Sequence, residues 1–152
     1  MQSVLILLVV AVITFNDARS RTDSCAPSPT AAEELTNSFT DEQHKDLNSI
    51  NEDHPNHKLL TCMKFFEIYK KMKDDQKAKT RRAFLDKCKI ELMDLVGDKS
   101  VYCLFEDGQY EHIEQMIKKT PVGDKSRRKE LESEAKACMH FMKHDDGNCR
   151  GH

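Results

Sequence analysis

Residues 57–97 read HKLLTCMKFFEIYKKMKDDQKAKTRRAFLDKCKIELMDLVG. Leu59, Leu60, Met63, Phe66, Tyr69 and Met72 recur at steps of three and four, the period that puts side chains on one face of a helix. The spacing predicts a helix over 57–73. Asp74-Asp75 then supplies the acidic first turn of a second helix, about 75–96. Phe84, Leu85, Cys88, Leu92 and Leu95 form its stripe, and Gly97 fits a left-handed C-terminal cap.

The same punctuation extends in both directions. Thr30 with Glu33, and Thr40 with Gln43, have capping-box spacing; they predict short helices over about 31–38 and 41–50. Pro55 lies in the loop 51–56. Downstream, Val101-Tyr-Cys-Leu-Phe105 and then Tyr110, Ile113, Met116 and Ile117 predict a helix over about 99–119, with a break at Gly108 if there is one. Pro121 ends it, because the residue before a proline is pushed out of the helical region. Leu131, Ala135, Cys138, Phe141 and Met142 predict a last helix over about 124–143. Alternation of period two is absent, so sheet is not expected. The expectation is an all-α, disulfide-stapled bundle of about four to six helices.

One pentapeptide, Val-Gly-Asp-Lys-Ser, occurs twice, at 96–100 and 122–126. Local capping explains it: glycine closes one helix and aspartate opens the next.

Val4 to Phe15 is an apolar run of signal-peptide length, too short to span a bilayer. Ala18-Arg19-Ser20 fits a small-x-small cleavage site. Residues 1–20 are therefore expected to be a signal peptide, and 21–152 a single secreted domain without a membrane span. No Asn-x-Ser/Thr acceptor for glycosylation is present.

Residues 21–152 hold only 23 Leu, Ile, Val and Phe together with six Met. A core this lean calls for covalent support. Cys25, Cys62, Cys88, Cys103, Cys138 and Cys149 supply it as three expected disulfides, since an even cysteine count in an exported chain reads as a disulfide framework. No Cys-x2-Cys pair favours zinc instead. Antiparallel hairpins would place Cys62 beside Cys88 and Cys103 beside Cys138, leaving Cys25 with Cys149.

Lys and Arg number 24 against 26 Asp and Glu, and they are interleaved. No field suited to nucleic acid or a membrane surface results. Lys125-Ser-Arg-Arg-Lys129 is read as a solvated helix start rather than an anion site. His140 and His144 share a helix face, but the His-Glu-x-x-His pattern of a catalytic metal site is missing; no metal and no cofactor are expected. His144-Asp145 lacks the adjacent cysteines and glycine-rich calcium loop that accompany the His-Asp pair of secreted phospholipases A2. There is no Gly-x-Ser-x-Gly elbow and no P-loop. No enzyme is expected. Phe65, Phe66, Tyr69, Met72, Phe105, Met116, Phe141 and Met142 are the candidate lining of an apolar inter-helical pocket.

The cysteine spacing departs from that of insect odorant-binding proteins, whose second and third cysteines lie three apart. Cys62-x2-Phe65-Phe66, Phe84-x3-Cys88 and Cys138-x10-Cys149 resemble a secreted cysteine-rich helical domain family of nematodes and arachnids. That resemblance implies an extracellular location and no assigned activity. The expected function is recognition of an extracellular macromolecule through a helical surface; the alternative is carriage of a small hydrophobic ligand.

Overall fold

The computed structural model describes residues 24–51, 57–121 and 123–149; the expected signal peptide lies outside them, as does Pro55. Seven α-helices and no strands are found among the described residues. They are α1 (Ala31–Asn37), α2 (Asp41–Asn48, continued by a 3-10 turn over Ser49–Asn51), α3 (His57–Lys71), α4 (Asp74–Val96), α5 (Val101–Glu106), α6 (Tyr110–Lys119) and α7 (Lys125–His144). The bundle is all-α, with one helix more than expected. The extra one arises because the 99–119 segment breaks: Gly108 takes φ 71° and separates α5 from α6.

Most helix ends follow the residues that announce them. At α2, the Thr40 hydroxyl accepts from the Gln43 N–H at 3.2 Å, and the Gln43 side chain accepts from the Thr40 N–H at 2.9 Å. Gly97, at φ 69°, closes α4 with its N–H 2.7 Å from the Met93 carbonyl. In the repeated pentapeptide the aspartate does one local job twice, whereas only the first glycine, Gly97, closes a helix. Asp98 Oδ1 accepts from the Ser100 N–H, and Asp124 Oδ1 from the Ser126 N–H, both at 2.9 Å. Thr30 is the exception. Its hydroxyl donates to Glu34 Oε1 and makes no cap bond, because its ψ of 25° is not the extended geometry a capping box needs.

Tyr69, Phe105, Phe141, Leu92, Ile113, Val101, Thr80 and Cys88 are fully buried. At the centre Phe66, Tyr69, Phe84 and Phe141 pack ring on ring, with Phe84 and Phe141 centroids 4.6 Å apart. Phe65 and Phe39 extend the stack toward α2. Gly147 passes directly over Phe66; a Cβ there would lie 2.0 Å from the ring, so no side chain fits. Met63, counted above in the apolar stripe of α3, is instead 55% exposed.

All six cysteines are paired, but not as the hairpin reading expected. The bonds are Cys25–Cys103, Cys62–Cys149 and Cys88–Cys138. The reason is packing. The backbones of α3 and α4 approach each other little, whereas α4 runs against α1, α5 and α7. Cys88 therefore meets Cys138 on α7, with Cα atoms 5.7 Å apart. Cys103 sits on α5, turned away from the α6 axis by the break at Gly108, and meets Cys25. Cys62 is left to hold the tail at Cys149.

The Lys125–Lys129 stretch contains a structural cation rather than a wholly solvated one. Arg128 on α7 donates to the carbonyls of Ile117, Lys118 and Thr120 at 2.8–3.0 Å, capping α6, and its Nε donates to Glu132. A guanidinium on the carbonyl end of a helix satisfies orphan acceptors and opposes the dipole. Arg128→Ala is expected to cost about 1–2 kcal/mol, read as a lowered urea midpoint. Arg127→Ala removes only an exposed pair with Glu130 and is expected to cost under about 0.5 kcal/mol. Equal losses would refute the capping role.

Candidate functional site

One surface concavity stands between the N-terminal segment and the middle of α4. The segment 24–28 has no regular structure after Cys25 and is held at three points. Cys25 is bonded to Cys103; its carbonyl accepts from the Lys89 ammonium at 2.9 Å; and the Ser28 N–H donates to Asp86 Oδ2 at 3.3 Å. Lys89 is itself 5% exposed and also pairs with Glu106. The tethered segment lines a groove of about 700 Å3 together with Arg81, Arg82, Asp86, Leu85, Phe105 and Met142. A second depression of about 540 Å3 shares Ser28 and Arg82 with it and continues past Lys79, Ala83, Ser38 and Glu34. The two adjoin at Ser28 and Arg82, side by side on α4, and together are the trough.

Lys89 was not singled out above, although the sequence carries its signal. Leu85, Lys89 and Leu92 stand at i, i+4 and i+7, so the lysine lies within the core stripe of α4. A buried ammonium must be paired, and here it fastens the groove wall.

At one end of the groove the chain leaves α7 through Asp145, whose φ of 53° is left-handed. Asp145 Oδ1 accepts from the Tyr69 hydroxyl at 2.6 Å and from Arg81 Nε at 3.1 Å. Lys70 lies 3.2 Å from Asp146 and holds that carboxyl below the usual carboxylate range. Burial, and then the hydrogen bond to Asp145, push the Tyr69 phenol well above its ordinary value. A raised folded-state value favours the protonated phenol. The resulting stability is fully present below pH ~10, the unfolded value, and is lost as pH rises beyond it. Denaturation midpoints are expected to be flat to about pH 10 and then to fall; Tyr69→Phe lowers the plateau and makes that fall shallower. An unchanged alkaline slope in the variant would remove Tyr69 from the account. Tyr110, raised by burial, supplies a smaller share that persists.

The eight candidate pocket residues divide between the core and its margin. Phe66, Tyr69, Met72, Phe105 and Phe141 are buried in the core, and Phe65 packs against it. Met142 is half-buried and, with Phe105, floors the groove; Met116 is half-buried outside the core cluster. His140 and His144 do share a face, ring centroids 4.6 Å apart. No group of three or more potential metal ligands is found among the described residues. No helix among them is long and apolar enough to cross a membrane. No family model, curated protein or solved structure matches the chain.

Proposed function

We propose that the chain is a secreted, non-enzymatic interaction protein that presents its stapled helical surface to an extracellular macromolecule. The observation that carries this reading is the placement of its large apolar side chains. The rings that a lipid carrier would arrange around a cavity pack on one another between α3, α4 and α7. The trough is open, and Arg81, Arg82, Asp86 and Lys79 are among the residues that line it. Three disulfides and the apolar run Val4–Phe15 support export, because bonds of this kind persist in oxidising compartments.

Native mass spectrometry of protein secreted by a eukaryotic host tests this. The expected species begins at Arg21, has lost six hydrogens to three disulfides, and carries no small-molecule adduct. A stoichiometric lipid adduct would overturn the reading in favour of carriage.

A further inference from the structure

We propose that Cys62–Cys149 is a redox-sensitive latch: an external dithiol opens it while the other two bonds stay closed, and the tail after α7 then lifts from Phe66. Reduction starts when a thiolate attacks a disulfide sulfur, so a bond inside the core is shielded from it. Cys88 and Cys138 are 2% and 4% exposed, and Cys25 is 6% exposed. Cys103 is half-buried, but its partner is not. Cys62–Cys149 is the one bond of the three in which neither cysteine is buried.

Attack leads to reduction only if the displaced thiol moves away. A thiol held beside the mixed disulfide attacks it at high effective concentration and restores the bond. Cys88 and Cys138 are held in this way, on two long helices packed in the core. Cys25 is held too, since its carbonyl accepts from Lys89 and the Ser28 N–H donates to Asp86 close by. Cys149 is different, for it stands five residues beyond the end of α7. The Lys70–Asp146 pair on the way is 57% and 43% exposed, a kind of contact that contributes little. The Gly147 N–H donates to the Asp146 carboxylate next to it rather than to α3. Asp145, bonded to Tyr69 and Arg81, stays in place and serves as the hinge.

The exchange transfers two electrons. One thiolate of the dithiol bonds to a sulfur of the pair and displaces the other cysteine; the second thiol of the dithiol then displaces the first cysteine. Cys62 and Cys149 end as thiols, and the dithiol ends as a disulfide. In the closed form Gly147 lies against the Phe66 ring, which is 9% exposed. In the open form that ring meets solvent, so the surface of α3 changes with redox state.

The test treats the full oxidised chain with dithiothreitol in the absence of denaturant, traps thiols with iodoacetamide and locates them by peptide mapping. The first product is expected to carry two labels, on Cys62 and Cys149, and to form at least about tenfold faster than any other labelled species. It is expected to keep its helical circular dichroism. Its amides at 147–149 are expected to exchange hydrogen at least about tenfold faster than in the oxidised chain, with those of 135–142 on α7 unchanged. The proposal is overturned by first labels on Cys25, Cys88, Cys103 or Cys138, by six labels arriving together, by a two-label product that has lost its helicity, or by tail amides that exchange at the oxidised rate.

Discussion

Full reduction of the three disulfides is expected to unfold the chain at neutral pH, with loss of helical circular dichroism and of the cooperative melt. Their sequence separations are 78, 87 and 50 residues. On a chain-entropy estimate, loops of that size are each worth about 4 kcal/mol. The bonds interlock: Cys88–Cys138 is nested within Cys62–Cys149, and both cross Cys25–Cys103. Their effects therefore combine to less than the sum. Even so, the total is comparable with the 5–15 kcal/mol that is the whole stability of a typical domain. The core that remains is lean, and part of it is the cysteines, since Cys25, Cys88 and Cys138 are themselves buried. Helicity and melting temperature that survive excess reductant would show that aromatic packing alone sustains the fold.

The helices were legible in the sequence where a residue's local chemistry dictates the backbone. Thr40 with Gln43, Gly97, Pro121 and Asp124 each act within one helical turn of themselves, and each ends or begins a helix where expected. The disulfide pairing was not legible, because it depends on which helices lie alongside one another. A short link between α3 and α4 constrains their ends to be close but leaves the helices free to splay. It is α7, entering from 50 residues away, that reaches Cys88. The trough is assembled from residues 24–28, the middle of α4, the end of α5 and one residue of α7. No linear spacing records such a meeting. Only Lys89, a cation inside an apolar stripe, marked it. The ring packing has an energetic reason. With so few large apolar residues, leaving a void among Phe66, Tyr69, Phe84 and Phe141 would forfeit the contacts that hold α3, α4 and α7 together.

That last argument fixes the second large effect. Phe141→Ala is expected to cost about 3–5 kcal/mol, measured as the shift of the guanidinium unfolding midpoint with disulfides intact. Phe141 is fully buried and touches rings from two other helices: Phe66 and Tyr69 on α3 at 5.6 and 5.4 Å between centroids, and Phe84 on α4 at 4.6 Å. Truncation removes the transfer energy of a whole aromatic side chain together with three favourable tilted or edge-on ring contacts. Collapse into the space is impeded. Cys88–Cys138 fixes α7 to α4 one turn before Phe141, and Cys62–Cys149 fixes the tail beyond it. A cavity held open in this way keeps its full cost, because the cost grows with the volume that fails to close. Met116→Ala provides the contrast. It truncates another of the eight candidate pocket residues, but at a half-buried site outside the core cluster, and is expected to cost under about 1.5 kcal/mol. If the two substitutions cost the same, the rings do not form the centre of the fold. If Phe141→Ala costs less than about 1 kcal/mol, the inter-helical space already contains room, and the case against a ligand cavity falls with it.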